Sequence, residues 1–349
     1  MTKTTRVMLA VLAACGASAA MAQSSVNLYG RVNTSIEHQK LGNSSATGML
    51  TNSSFIGFRG TEDLGNGLKA GFVLEANFNS DDGAGSDEGA FNFKRNSEIN
   101  LAGGFGMLRL GSFDAYSYTV TADTISMHNH DTGTSADALY FGATGRGNTI
   151  AYRTPDIAGL NAEIQYRFGE KAGAPNTEDK GGWDLGVNYA NGPLGLGFGY
   201  SQQKENDLIG NNNIKDSQFA LRGSYSIGDL TLGAYYQKQK SKEASDTYKR
   251  DAYRLAAMYT IGASELHANV GRATAVKLNG SKVSESATQW TLAYNYNLSK
   301  RTKVYALYTN INNTGSAEIE NNPAGNFNFN NTSNSDKFRA YGVGIRHLF

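Results

Sequence analysis

Two short polar segments contain the residue types that bind metal ions. His128 and His130, in MHNHD, can share one side of an extended segment, but a zinc site needs further ligands that the neighbourhood does not supply. SDDGAGSDEG (80–89) is rich in carboxylates but lacks the spacing of an EF-hand loop. We interpret both as solvated loops, with bridging by a divalent cation as the alternative for 80–89, and we expect no resident metal.

Motifs for catalysis are equally incomplete. GATGRG (142–147) is rich in glycine, but it lacks the Gly-Lys-Ser/Thr ending and the strand-to-helix context of a phosphate-binding loop. Ser, His and Asp residues are all present without a nucleophile elbow. The sequence therefore predicts no enzyme and no cofactor.

The remaining charged residues alternate with apolar ones. LKAGFVLEANF (68–78) has an apolar or small residue at every even position, with Lys69, Glu75 and Asn77 between them. A period of two predicts an extended strand with one apolar and one polar face. The apolar face could contact either a protein core or lipid, and one strand cannot distinguish these environments.

The same alternation recurs along the chain, in VNLYGRVNTSIE (26–37), LNAEIQYRF (160–168) and many other segments. With weaker stretches included we predict about sixteen strands, each near the length that crosses a bilayer when tilted. The polar faces of these strands contain six basic residues that the alternation groups together: Arg31, Arg59, Lys69, Arg109, Arg153 and Arg167.

The connections between the predicted strands differ systematically in length. Short turns such as 61–67, 191–193 and 228–229 alternate with long polar segments, which are 38–52, 79–90, 113–146, 169–182, 203–216, 273–286 and 312–335. Short periplasmic turns and long extracellular loops are typical of antiparallel outer-membrane barrels. We therefore predict an all-β transmembrane barrel whose apolar face contacts lipid and whose polar face lines a wet lumen.

The N-terminal segment differs from the rest. Lys3 and Arg6 precede an apolar stretch (7–14) and then the small residues Ala20-Met21-Ala22, which predicts a signal peptide over 1–22 and a single domain over 23–349. A lipoprotein-type signal with lipidated Cys15 is the alternative. Without Lys3 and Arg6, 30 basic residues stand against 31 acidic ones, so no bulk charge favours nucleic acid.

Several segments together resemble the trimeric general porins of Gram-negative bacteria, in their beta-proteobacterial and neisserial branch. They are SSVNLYGRV, FIGFRGTEDLGNGLKAGFVLE (55–75), GGFGMLRLG (103–111), NTIAYRTPDIAGL (148–160), YNLSKRTKVYALY (296–308) and YGVGIRHLF (341–349). The resemblance implies export to the outer membrane, contact with lipid and lipopolysaccharide, and a homotrimer. It also implies that Phe349 is the C-terminal aromatic residue that the barrel-assembly machinery recognises.

The resemblance places 113–146 where the third loop of such porins folds into the barrel and narrows it. That segment contains Asp114, Asp123, Asp131 and Asp137, with Arg146 as its only base. Opposed to the basic lumenal residues, these acids would create a transverse field across a narrow aqueous gap. We expect this constriction to involve Arg31 above all, because Arg31 is central in its strand.

Two positions depart from the pattern of the family. Ser112 stands where an arginine usually follows the fifth strand, and Glu98 stands where an aromatic residue is common. Both changes remove positive or apolar character from the pore, so we expect a modest anion preference.

Three functions from different classes fit these observations. The leading one is a channel for passive diffusion of small hydrophilic solutes and ions, which needs no catalysis. A substrate-specific channel on the same barrel would differ by saturable block with one solute class. A barrel-type adhesin would keep its activity after the pore is plugged, and a barrel-type enzyme would turn over substrate in detergent.

Overall fold

The computed structural model describes residues 25–85, 90–125, 139–140, 147–169, 177–207, 212–312 and 337–349. The predicted signal peptide and Asp131 lie outside these residues. Two short helices, α1 (Tyr116–Val120) and α2 (Ala122–Ile125), follow the sixth of nineteen strands, and no described helix is long and apolar enough to cross a membrane. The strands are β1 Ser25–Leu41, β2 Ser44–Thr51, β3 Phe55–Gly65, β4 Leu68–Asn77, β5 Asn96–Gly103, β6 Gly106–Ser112, β7 Thr149–Arg153, β8 Leu160–Arg167, β9 Thr177–Asn191, β10 Leu194–Asp207, β11 Asn212–Ile227, β12 Leu230–Glu243, β13 Asp246–Ile261, β14 Ser264–Ala273, β15 Lys277–Leu278, β16 Ser281–Lys282, β17 Ala287–Asn297, β18 Thr302–Asn312 and β19 Phe338–Leu348.

All of these strands belong to one antiparallel sheet that closes on itself. β2 and β3 pair with successive halves of β1, so they act as one barrel strand interrupted at 52–54. Between β14 and β17 in the chain, β15 and β16 form a small hairpin, and β15 pairs with the start of β13. The result is a closed barrel of 16 strands, as the alternation predicted.

The barrel closes where the first strand meets the last. β1 pairs with β19 from Arg31 opposite Leu348 to Leu41 opposite Phe338. Beyond the last paired residue, Gly30 and Phe349 exchange two backbone hydrogen bonds of 3.1 Å each. Closure matters because an open sheet edge cannot satisfy its backbone groups in lipid.

The exposed and buried faces of the strands are chemically inverted relative to a soluble protein. On β1, Val26 is 64% and Leu28 is 56% exposed on the outer face, whereas Asn33 and Glu37 are fully buried on the inner face. On β4, Phe72 lies opposite the exposed Ile99 of β5, so the even positions of 68–78 point outward as predicted. An apolar exterior around a polar interior fits lipid outside and water inside.

The two ends of the barrel differ less in connection length than the sequence suggests. At one end the turns are short, as between β11 and β12 or β13 and β14. At the other end, much of the predicted loops 38–52 and 203–216 and the end of 169–182 is strand, because β1, β2, β9, β10 and β11 extend further than expected. Polar residues occupy both faces of these extensions, so they lack the alternation that marks a strand at the membrane.

Candidate functional site: the lumen and its inward loop

The described parts of the connection between β6 and β7 lie against the inner wall of the barrel. We call residues 113–146 the inward loop; its described parts are 113–125 and 139–140. Helix α1 contacts β8, β9 and β10, and helix α2 contacts β11 and β12. Further along, Leu139 packs with Ala273 of β14 and Ala287 of β17. For these described residues, the prediction of an inward-folded third loop is confirmed.

Polar contacts attach α1 and α2 to the inner wall. The Tyr116 hydroxyl donates a hydrogen bond to Asn161 Oδ1 at 2.5 Å, and burial raises the pKa of this phenol. The Ser117 amide donates to Asp184 Oδ1 at 2.8 Å, and the Ser117 hydroxyl donates to Asp184 Oδ2. Arg222 of β11 donates to the Thr124 hydroxyl at 2.7 Å. The loop is therefore fixed to the wall along both helices.

Two glycines allow the loop backbone to approach the wall closely. A Cβ atom at Gly197 of β10 would lie 1.9 Å from the Val120 carbonyl oxygen, and one at Gly186 of β9 would lie 2.7 Å from Tyr116 Cδ1. Any side chain at these lumenal positions would displace α1 toward the middle of the pore. The absence of a side chain at these two positions therefore determines how far α1 extends into the lumen.

In the second described part of the loop, Tyr140 contacts an aromatic ring and a guanidinium group of the barrel wall. The Tyr140 ring lies 4.7 Å from the Tyr235 ring, and the Arg254 guanidinium lies 4.8 Å from the Tyr140 ring centroid. Arg254 also donates to Asn269 Oδ1 at 2.6 Å and to Gln289 Oε1 at 2.9 Å.

Sequence reasoning missed both Arg222 and Arg254 as contacts of the inward loop. The signal was present, because each is flanked by an outward leucine, Leu221 or Leu255, and so must point into the lumen.

The wall across the lumen carries alternating arginines and aromatic rings. β10 lies half-way round the barrel from β1, so the wall behind α1 faces β1 and β3. There the Arg59 guanidinium lies 4.5 Å from the Tyr29 ring, and the Tyr29 ring lies 6.0 Å from the Phe55 ring. Arg31 and Arg95 lie 5.5 Å and 4.3 Å from the Phe55 ring. We call these five residues the arginine–aromatic cluster.

The predicted basic residues on this wall differ in their exposure to the lumen and in their polar partners. Arg31 is only 8% exposed, and its Nε and Nη2 donate to the Ser53 carbonyl oxygen at 3.0 and 2.7 Å, which supports the break between β2 and β3. Arg59 is exposed to the lumen and makes no ion pair with any described residue. Lys69 is also exposed, opposite Asp63 beside the β3–β4 turn.

Arg109 and Arg153 lie on the same side of the barrel as the start of the inward loop, and carboxylates neutralise them. Arg109 contacts Glu98 at 2.6 Å and Glu163 at 2.7 Å, and its guanidinium lies 4.0 Å from the Phe113 ring. Arg153 contacts the same Glu163 at 2.6 Å. Glu98, the departure noted in the sequence, is thus a partner of Arg109.

The three other predicted site residues in the described part of the chain are Arg167, Asp114 and Asp123. Arg167 ends β8 on its lumenal face, opposite Thr149. The backbone carbonyl of Asp114 accepts a hydrogen bond from Gln165 at 3.2 Å, and Asp123 lies in α2.

Comparisons with known proteins agree with this architecture. A family model described as Gram-negative porin matches residues 9–316. The chain belongs to the Gram-negative porin family. Outer membrane porin protein 32 of Delftia acidovorans is 35% identical, with 99% of this chain and all of that protein aligned. Major outer membrane protein P.IB of Neisseria meningitidis serogroup B is 29% identical over 94% of this chain and 95% of that protein.

A solved structure agrees as well. The anion-selective porin from Comamonas acidovorans has a TM-score of 0.78 and 31% identity, and the alignment covers 94% of this chain and all of that one. This porin is therefore located in the outer membrane, where its water-filled lumen lets small hydrophilic solutes and ions diffuse passively.

Proposed function

We propose that this channel has a modest preference for anions, set between the inward loop and the arginine–aromatic cluster. The observation that carries the proposal is Arg59, which is exposed to the lumen without an ionic partner among the described residues. A fixed positive charge beside a narrow aqueous passage attracts anions more strongly than it would in bulk water.

The preference is modest because most neighbouring arginines are neutralised. Arg109 and Arg153 share Glu98 and Glu163, and Arg95 contacts Glu75 at 3.0 Å. Asp114 and Asp123 add negative charge on the inward loop. The Comamonas relative is described as anion-selective, which supports the sign of the preference here.

We further propose that three copies form a homotrimer, that residues 1–22 are removed on export, and that the protein has no enzymatic activity. The trimer follows from the family resemblance, and a related fold of 17% identity is described as a trimer form. Light scattering of the detergent-solubilised protein would measure the assembly. N-terminal sequencing would identify the first residue, with lipidated Cys15 as the contrary result.

Planar-bilayer recording across a salt gradient tests the preference. Arg59→Ser should shift the reversal potential toward cation selectivity, because it removes an exposed lumenal charge without breaking an ion pair. Lys277→Ser is the matched control, since Lys277 is exposed in the β15–β16 hairpin away from the lumen. Arg31→Ser is a poorer test because it also removes the hydrogen bonds to Ser53.

Equal shifts from Arg59→Ser and Lys277→Ser would contradict the assignment of Arg59 to the selectivity site. A reversal potential of zero in the unmodified channel would contradict the anion preference itself. Saturable block of the current by one solute class would favour the substrate-specific alternative.

A further inference from the structure

The outer surface of β10–β13 carries a row of aromatic rings at the end away from the short turns. The Tyr236 ring lies 5.2 Å from the Tyr253 ring and 6.3 Å from the Phe219 ring, and Phe219 lies opposite Tyr200. All four point outward, on the same face as exposed leucines such as Leu255. Aromatic girdles of this kind mark where barrel strands leave the hydrocarbon region.

Beyond this row, lysine is the commonest residue at the outward positions of β10–β13. On β12, Lys238, Lys240 and Lys242 follow Tyr236 at every second residue, so they point outward as well. The lysine patch comprises six outward residues on four neighbouring strands, which are Lys204, Lys215, Lys238, Lys240, Lys242 and Lys249.

The strand register places several of these lysines directly opposite one another. Lys242 lies opposite Lys215, Lys215 lies opposite Lys204, and Lys240 lies opposite Lys249. Like charges directly opposite each other on a sheet are destabilising. Along β12, Lys240 also has Lys238 and Lys242 as its neighbours on the same face.

One described acidic residue lies beside the patch, because Asp251 of β13 is directly opposite Lys238 of β12. Within the described part of the chain, none of the six lysines has an ion pair, and Asp251 is the one carboxylate at an outward position of β10–β13 beyond the aromatic row. Asp251 itself accepts a hydrogen bond from the Tyr236 hydroxyl at 2.7 Å. Six lysines beside one described outward carboxylate leave this surface with an excess of positive charge.

The position of the patch identifies what could neutralise it. Lys238 is the next outward-pointing residue after Tyr236, about 7 Å further along the strand. This distance places Lys238 within the headgroup layer. The loop end of a barrel of this type faces the cell exterior. We propose that the lysine patch binds the phosphate groups of lipopolysaccharide in the outer leaflet. This inference is independent of the ion selectivity proposed above.

Titration of the purified protein in detergent with bis-phosphorylated lipid A tests the proposal, with fluorescence anisotropy of labelled lipid as the measurement. The triple variant Lys238→Gln, Lys240→Gln, Lys242→Gln should weaken binding about tenfold or more, since each lysine near an anionic lipid surface contributes to affinity. Replacing the same three lysines by arginine should preserve binding. The matched control replaces Lys69, Lys300 and Arg301, which are exposed at the short-turn end of the barrel, by glutamine and should change the affinity less than twofold.

Two further probes distinguish the source of the phosphate. Lipid A stripped of its phosphates should bind the unmodified protein about tenfold or more weakly than intact lipid A does. Inorganic phosphate should not displace lipid A, because the proposed ligand is a lipid headgroup. These two measurements use the unmodified protein, so they decide the proposal even if the triple variant fails to fold.

Four results would overturn the proposal. Equal weakening by the patch and control variants would show general electrostatic attraction, and equal binding of dephosphorylated lipid would exclude phosphate recognition. Full displacement by inorganic phosphate would indicate a free-phosphate site. A smaller assembly in the patch variant would indicate that this face joins copies of the chain.

Discussion

Asp184 accepts two hydrogen bonds from Ser117, one from the backbone amide and one from the hydroxyl, and so ties α1 of the inward loop to β9. Asp184 is nearly inaccessible to solvent, at 3% exposed, and Ser117 is fully buried. A hydrogen bond to a charged group contributes about 1.5–3 kcal/mol. This one side chain is therefore a principal attachment of the loop that narrows the pore.

Asp184→Ala should loosen α1 from the wall. We expect larger and noisier fluctuations of the single-channel current, because the loop loses both hydrogen bonds to this carboxylate. Asp229→Ala, in the exposed β11–β12 turn, is the control and should leave the current steady. Identical current noise in both variants would mean that other contacts hold α1.

Gly197→Ala should change the pore by steric displacement. The added Cβ would lie 1.9 Å from the Val120 carbonyl oxygen, so α1 must move away from β10 and into the lumen. We expect a lower single-channel conductance. Gly223→Ala is the matched control, because its Cβ would lie 3.9 Å from Leu196 Cδ2, an ordinary contact. Unchanged conductance in Gly197→Ala would contradict the close packing of loop and wall.

The barrel itself could be predicted from the sequence because lipid outside and water inside impose a strict period of two. Val26 and Leu28 face outward and Asn33 and Glu37 face inward for that reason alone. The period disappears beyond the hydrocarbon region, where polar residues occupy both faces of β11. The extended parts of β10 and β11 were therefore mistaken for a loop.

The pairing within the lumen could not be predicted, because alternation gives the face of a residue but not its partner. Arg109 and Arg153 were grouped with Arg59 as equivalent lumenal charges. The register of β5 to β8 instead brings Glu98 and Glu163 against the first two. Only the three-dimensional arrangement distinguishes a neutralised arginine from an exposed one.

Glu163→Gln should increase the anion preference. Glu163 contacts both Arg109 and Arg153, so its neutralisation leaves positive charge in the lumen with Glu98 as the remaining partner. Removing one partner of a buried ion pair also destabilises a protein by about 3–5 kcal/mol, so the heat-induced unfolding temperature should fall. Reversal potentials and heat-dependent gel migration measure the two effects.

Glu285→Gln is the control for this change, because Glu285 pairs with Lys282 at 2.8 Å in an exposed loop. Neither selectivity nor stability should change there. If Glu163→Gln also left the reversal potential unaltered, the network around Arg109 would lie outside the field that permeating ions experience.

Deleting Phe349 should reduce assembly of the barrel without altering the channel that does assemble. The Phe349 backbone pairs with Gly30, and its ring lies over the outer face of that glycine, where a Cβ would be 2.5 Å from the ring. The ring therefore contributes to the seam between the first and last strands but not to the lumen. Immunoblotting of outer-membrane fractions measures assembly, and bilayer recording measures conductance.

Leu298→Ser is a suitable control, since Leu298 is an exposed apolar residue in the turn between β17 and β18. It should accumulate at normal levels if the effect of the deletion is specific to the seam. Normal levels of the Phe349 deletion would show that closure needs only the paired backbone of β1 and β19. A changed conductance would instead place the C-terminal residue in contact with the permeation path, contrary to its outward position.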